Sequence, residues 1–223
     1  MAAEHTVKAF DEDITRLRGL IAEMGGLAEV AIQEALDALV RGDVELADKV
    51  VARDKKLDVL ETEVDKLSVR IIALRAPMAD DLREVIAALK IGGVLERIGD
   101  YAKNIAKRVG MIERRGEFEP LTLLPAMGEL AGEMVHDVLT AYAARDPDLA
   151  REVIATDAKV DAFYNSIFRN LVSYMVENPA TISSAAQLLF VARNIERIGD
   201  HATNVAEMVH FAATGLYPPE GDR

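Results

Sequence analysis

The sequence predicts an all-α protein, a tandem duplication of two antiparallel three-helix bundles. Three observations predict this fold: an internal repeat, a composition suited to helix packing, and apolar residues at helical spacing. Residues 96–106 read ERIGDYAKNIA and residues 196–206 read ERIGDHATNVA, so eight of eleven positions are identical at an offset of 100 residues. A long-period repeat of this kind indicates two copies of one structural unit.

The composition fits packed helices and excludes several classes of function. Hydrophobic residues make up 50% of the 223-residue chain and aromatic residues only 5%, and a core of Leu, Ile, Val and Ala suits close helix packing. Since the chain has no cysteine, disulfides and thiolate ligands are excluded, and a metal would need oxygen or imidazole donors. The formal charge of −12 disfavours nucleic acid and favours cations or basic protein surfaces.

Six helical segments follow from the apolar spacing and from the residues that interrupt it. They are predicted at 7–40, 44–75, 80–112, 122–144, 147–177 and 181–213. The breaks fall at Gly42, Pro77, Pro147 and Pro179, residues that end or start helices. In the second segment the apolar side chains recur in steps of three and four residues: Leu57, Leu60, Val64, Leu67, Ile71 and Leu74. Short breaks make neighbouring helices antiparallel.

The predicted organisation is a first bundle at 1–113, a linker at 114–121, a second bundle at 122–213 and an irregular tail at 214–223. The charged N-terminus does not resemble a signal peptide. No apolar run approaches the roughly 18 residues that a membrane span needs. We therefore expect a cytoplasmic protein, which reaches a membrane only through its partners.

Each copy of the repeat carries two acidic residues one helical turn apart. These are Glu96 and Asp100 in the first copy and Glu196 and Asp200 in the second. Like charges at this spacing destabilise an isolated helix by about 0.2–0.5 kcal/mol. We therefore expect a basic partner or a bound cation to offset the repulsion.

A second acidic pair in each half is predicted to face the first across a helical hairpin. Asp58 and Glu96 lie equally far along the chain on either side of Pro77, and the same holds for Asp54 and Asp100. Residues at equal distances from a tight turn lie opposite each other in an antiparallel pair. We call these four carboxylates the first acidic cluster.

The second hairpin, around Pro179, repeats the arrangement. Asp161 and Glu196 lie almost equally far along the chain from this proline, and so do Asp157 and Asp200. These four carboxylates are the second acidic cluster. Four convergent carboxylates suit a hard cation. Ordinary surface ion pairs with nearby Lys and Arg residues are the alternative at this stage.

Gly99 and Gly199 lie in the middle of predicted helices, between the two acids of each signature. A mid-helix Gly costs about 1 kcal/mol relative to Ala, so the position needs a reason. We expect close approach of a neighbouring helix beside each cluster, with a local kink as the alternative.

These residues resemble the PhoU family, the accessory regulators of phosphate transport. The resemblance is carried by the duplicated Glu-Arg-Ile-Gly-Asp-x-x-x-Asn signature, by the Asp54–Asp58 and Asp157–Asp161 steps, and by the segment 75–83. It covers about residues 5–213. It implies a pair of three-helix bundles, no enzymatic activity, and frequently a homodimer.

The resemblance also implies metal ions as cofactors, either iron clusters or other divalent ions such as Mn, Mg or Zn. The implied ligands are the carboxylates of both clusters: Asp54, Asp58, Glu96, Asp100, Asp157, Asp161, Glu196 and Asp200. The second half departs from the first at Thr203 and Glu207, which stand where the first half has Lys103 and Lys107. We therefore expect the second cluster to be less basic in its surroundings.

By the same resemblance, the protein is a negative regulator that acts when phosphate is plentiful. Its expected partners are the ATPase subunit of the phosphate ABC transporter, which it restrains, and a phosphate-sensor histidine kinase, which it keeps from activating the starvation response. Two other classes stay open on the residues alone. A carboxylate-bridged metal oxidase should have His ligands at the clusters, and a metal-free helical scaffold would use none of these acids as ligands.

Overall fold

The computed structural model describes residues 2–112 and 122–218, with side chains from residue 9 onward. The helices of these ranges are α1 (Ala2–Arg41), α2 (Val44–Arg53), α3 (Lys55–Arg75), α4 (Asp80–Arg108), α5 (Leu123–Ala144), α6 (Pro147–Glu177) and α7 (Ile182–Thr214). The described ranges contain no strand, and none of their helices is both long and apolar enough to cross a membrane. The predicted all-α duplication is confirmed, whereas the predicted linker at 114–121 and the second half of the predicted tail, 219–223, lie outside the described residues.

The second predicted helix, 44–75, is two helices, which corrects the sequence-based boundary. It is interrupted at Asp54, whose carbonyl accepts a hydrogen bond from the Leu57 N–H at 2.8 Å, three residues on instead of four. A bond of this type tightens the local turn. The interruption matters because the side chain of Asp54 is buried at this point, with the residue 9% exposed.

Two aspartates cap the helices that follow the short turns. Asp43 accepts a hydrogen bond from the Leu46 N–H at 2.9 Å at the start of α2. Asp146 accepts from the N–H groups of Asp148 and Leu149 at 2.9 and 3.1 Å, and the next residue, a proline, opens α6. These caps satisfy N–H groups that have no partner inside the helix.

The two helices that carry the signatures, α4 and α7, pack against each other and run antiparallel. The rings of Tyr101 and His201 are in contact, with centroids 5.1 Å apart. Further along α4, Arg108 donates to the Gln187 side chain at 2.8 Å, so a later residue of α4 meets an earlier residue of α7. The two acidic clusters therefore flank a shared central helix pair.

The outer helices α1 and α5 join the halves a second time through matched close contacts. A Cβ atom at Gly25 would lie 2.6 Å from Leu139 Cδ1, and one at Gly128 would lie 2.5 Å from Leu36 Cδ1. The two glycines are related by the same sequence offset as the two leucines. The halves thus pack as a pseudo-symmetric pair around one continuous hydrophobic core.

Candidate functional site

The first acidic cluster contains a lysine. Lys103 Nζ donates to Asp54 Oδ2 at 2.6 Å and also contacts Asp100 Oδ1. Burial alone would lower the pKa of Lys103, but its hydrogen bonds to Asp100 and Asp54 outweigh that effect and raise the pKa above its ordinary value of 10.5. A protonated ammonium group therefore bridges helix α4 and the α2–α3 break inside this cluster.

The other acids of the first cluster lie further toward the hairpin and repel one another. Burial, together with the negative charges of Asp100, Glu61 and Asp58, raises the pKa of Glu96 to about 7. Glu61 has a raised pKa for the same two reasons, burial and nearby acids. The charges in this part of the cluster therefore oppose the ionisation of Glu96 and Glu61.

The glycines of the signatures sit where a neighbouring helix approaches closely, which confirms the expectation for them. A Cβ atom at Gly99 would lie under 3.0 Å from Leu57 Cδ1, and one at Gly199 would lie 3.0 Å from Asp157 Oδ1. Since the second contact is to a carboxylate oxygen, the absent side chain at Gly199 leaves room for a cluster acid.

In the second acidic cluster a positive charge lies beside the glutamate, whereas in the first cluster it lies between two aspartates. Arg193 contacts Glu196 Oε1, and its guanidinium lies 5.6 Å from the centre of the Tyr164 ring. The residue Glu196 is only 7% exposed, and its other oxygen, Oε2, has no hydrogen-bond partner among the described residues. Burial, followed by the charge of Asp200, raises the pKa of Glu196.

The three aspartates of the second cluster have different surroundings from those of the first. In the first cluster Lys103 lies between Asp54 and Asp100, whereas no lysine of the described ranges lies between the aspartates of the second. Burial, together with the charges of Asp161 and Asp200, raises the pKa of Asp157 to about 6. Thr203, at the position of Lys103, donates its hydroxyl to the backbone oxygen of Asp200 at 2.7 Å. Its side chain therefore brings no positive charge to the cluster.

The aspartates open into a groove between α6 and α7, which we call the α6–α7 groove. Its volume is about 1190 Å³. Among its lining residues are Asp157, Asp161, Asp200, His201, Thr203, Asn204 and Glu207. By contrast, the pocket beside Asp54 in the first half has a volume of about 10 Å³.

The predicted metal ligands are thus placed in facing pairs, but they are not drawn together into a ligand sphere. Within the described ranges, no three Asp, Glu, His or Cys side chains are arranged to hold a metal ion. Metal binding at the eight carboxylates stays a prediction. The donor chemistry of the second cluster fits a cation, because Glu196 Oε2 is buried without a partner, whereas the first cluster already holds the ammonium group of Lys103.

The signature arginines contribute to the contact between the halves. Tyr101 of the first half is the main cause of a raised pKa of Arg197. Burial is the main cause of the lowered pKa of His201, and the charge of Arg97 lowers it further. Each guanidinium therefore acts on the opposite repeat across the α4–α7 contact.

Sequence reasoning missed Glu61 and Arg193. Glu61 lies about one helical turn after Asp58 in the second predicted helix, so its position was a usable signal. Arg193 lies three residues before Glu196, a spacing that permits a helical ion pair. Its counterpart in the first half is Gly93, where a Cβ atom would lie 3.4 Å from Glu61 Oε1.

Both halves of the chain match one known domain. A family model described as PhoU domain matches residues 21–109 and 124–209. The chain belongs to the PhoU family. Both matches contain one signature and one acidic cluster, so the PhoU domain occurs twice in this chain.

Curated PhoU relatives match almost the whole chain. A phosphate-specific transport system accessory protein PhoU homolog from Zymomonas mobilis is 56% identical over 219 residues, which cover 98% of this chain and 92% of that protein. A PhoU homolog with the same description from Caulobacter vibrioides is 47% identical over 213 residues, 95% of this chain and 93% of that protein.

Solved PhoU structures share the fold. The crystal structure of PhoU from Pseudomonas aeruginosa matches with a TM-score of 0.88 at 36% identity, over 93% of this chain and 100% of that one. The phosphate transport system regulatory protein PhoU from Streptococcus pneumoniae also gives a TM-score of 0.88, at 26% identity, over 94% of this chain and 99% of that one.

Proposed function

We propose that this PhoU-family protein is a cytoplasmic, non-enzymatic regulator of phosphate homeostasis. It restrains the high-affinity phosphate ABC transporter through the ATPase subunit and keeps the phosphate-sensor histidine kinase pathway off when phosphate is plentiful. The observation that carries the proposal is the 56% identity, across nearly the whole chain, to a protein described as an accessory protein of phosphate-specific transport.

A deletion strain grown with abundant phosphate tests this role. We expect the strain to express a starvation reporter such as alkaline phosphatase, and the intact gene to silence it. Co-purification of the protein with the transporter ATPase and with the kinase tests the two contacts directly. A reporter that stays silent in the deletion strain contradicts the proposed role.

We further propose that the regulator binds a metal ion at its acidic clusters, as iron or as another divalent ion such as Mn, Mg or Zn. The candidate ligands are Asp54, Asp58, Glu96, Asp100, Asp157, Asp161, Glu196 and Asp200. Burial and the repulsion of neighbouring acids raise the pKa of Glu96 and Asp157, and the positive charge of an ion would offset that repulsion. The carboxylate side chains would rotate toward the ion, since they converge from facing helices.

Elemental analysis of protein purified without a metal-affinity tag tests metal binding. We expect metal in the wild type and less of it after replacement of acids from both clusters, Glu96→Gln/Asp100→Asn with Asp157→Asn/Asp200→Asn. Exchange of two exposed acids of α2, Glu45→Gln/Asp48→Asn, is the matched control and should leave the metal content unchanged. Equal, near-zero metal in all variants after reloading favours the metal-free scaffold. Oxygen consumption by ferrous-loaded protein would instead favour the oxidase alternative.

A further inference from the structure

The two acidic clusters have the same acids but different neighbours. The two signatures differ at three positions, which are 101, 103 and 105 in the first copy and 201, 203 and 205 in the second. Two of these exchanges, together with that of Lys107 for Glu207, remove two lysine ammonium groups and add a histidine and a glutamate. Tyr101 corresponds to His201, and Lys103 corresponds to Thr203. The three second-half residues all line the α6–α7 groove.

Lys103 occupies the place between facing acids that a cation would take. Its Nζ lies 2.6 Å from Asp54 Oδ2 and also contacts Asp100. Asp54 and Lys103 are largely buried, with side chains 8% and 21% exposed, so little water competes with the pair. A divalent ion at these two acids would have to displace the ammonium group of Lys103. Two charge-assisted hydrogen bonds would then be lost.

The equivalent place in the second half is open. Asp157 and Asp200 correspond to Asp54 and Asp100, and Thr203 turns its hydroxyl to the backbone. The half-buried Asp157 and the exposed Asp161 line the groove, so solvent ions reach them. Behind them, Glu196 is more than nine-tenths buried, and its Oε2 has no hydrogen-bond partner among the described residues.

His201 adds a donor that the first cluster lacks. Its Nδ1 lies 2.9 Å from the backbone oxygen of Arg197. A hydrogen bond from Nδ1–H to this carbonyl leaves the lone pair on Nε2, the tautomer that metal-binding histidines commonly use. The residue is 9% exposed and lines the α6–α7 groove.

We propose that the two clusters are not equivalent: Lys103 is the built-in cation of the first cluster, and the second cluster is the one that binds a metal ion. The inference rests on the proposed metal binding and assigns it to Asp157, Asp161 and Asp200, with Glu196 behind them. His201 and Glu207 are additional donors at the groove. The regulator then senses or is stabilised by metal through one half only.

Reciprocal exchange of the residues at 103 and 203 tests this assignment. The full chain is stripped with a chelator, and Mn²⁺ binding is measured by equilibrium dialysis with Mn²⁺ as the only added metal. We expect Thr203→Lys to weaken binding by more than about tenfold, since it places an ammonium beside Asp200. Lys103→Thr should add binding in the first half and double the Mn²⁺ held at saturation.

Neutralisation of each cluster separates this inference from metal binding itself. Asp157→Asn/Asp200→Asn should abolish Mn²⁺ binding, whereas Asp54→Asn/Asp100→Asn should leave it unchanged, with circular dichroism to confirm folding. If each double variant loses half of the bound Mn²⁺, the two clusters bind equally and the asymmetry is wrong, although metal binding itself stands. If neither the wild type nor any variant binds Mn²⁺, both the asymmetry and metal binding are wrong. The regulatory role is then still decided by the phenotype of the deletion strain.

Discussion

Tyr101 and His201 occupy the same position of the two repeats and meet edge to face across the α4–α7 contact, with ring centroids 5.1 Å apart. His201 is buried, with 9% of the residue exposed, and it directly follows Asp200 of the second acidic cluster. Edge-to-face aromatic pairs contribute about 0.5–1.5 kcal/mol beyond the area they bury. The same repeat position thus links the halves and borders the α6–α7 groove.

Protonation of His201 should destabilise the fold. Burial lowers the pKa of His201 below its ordinary value of 6.5, so the unfolded chain binds this proton more readily. The free energy of unfolding should therefore fall as the pH drops below 6.5, to the extent that His201 contributes. In metal-free protein, His201→Phe should reduce that loss in urea titrations at several pH values. An unchanged pH profile would contradict the lowered pKa.

Glu96 should act in the opposite direction. Its pKa is about 7 in the folded protein against an ordinary value of 4.5, so the folded state binds more protons between these values. Because of this, its contribution to stability is present at low pH and is lost as the pH rises from about 4.5 to 7. Glu96→Gln should remove this part of the slope in chelator-treated protein. Glu63→Gln, an exposed acid of α3, is the control.

Gly99 should not tolerate a side chain, although Ala is the better helix former. A Cβ atom there would lie under 3.0 Å from Leu57 Cδ1, so α3 and α4 must shift or Leu57 must leave its rotamer. We expect Gly99→Ala to lower the free energy of unfolding by about 1–3 kcal/mol. Gly19→Ala is the matched control, because nothing lies within 4 Å of its added Cβ, and it should raise stability by up to about 1 kcal/mol.

Glu84 should be an important ion-pair residue for the contact between the halves. Its Oε1 lies 2.5 Å from Arg18 Nε of α1, and its Oε2 contacts Arg145 at the α5–α6 turn. Since the Glu84 side chain is only 9% exposed, we expect Glu84→Gln to cost about 1–3 kcal/mol in urea unfolding. The exposed pair of Lys49 and Glu45 is the comparison, and Glu45→Gln should change stability by less than about 0.5 kcal/mol. Equal effects would show that burial of Glu84 contributes nothing.

Much of the fold could be predicted from particular residues. The repeated signature required two similar halves, and the apolar steps from Leu57 to Ile71 required a packed helix, whereas Leu74, the last step of the predicted series, is exposed. The caps at Asp43 and Asp146 follow from local hydrogen bonding, which depends on neighbours within three residues. The interruption at Asp54 was not predicted, because neither Gly nor Pro marks it in the sequence.

The sequence by itself determined the duplicated helical architecture and the facing positions of the acidic residues, because helix period and hairpin length are local properties. Only the tertiary structure decided that Lys103 reaches Asp54, that Arg193 pairs with Glu196, and that the second cluster opens into a groove. These features depend on how one helix is rotated and displaced against another. That geometry is set by the packing of the whole core, which the spacing of residues along one helix does not specify.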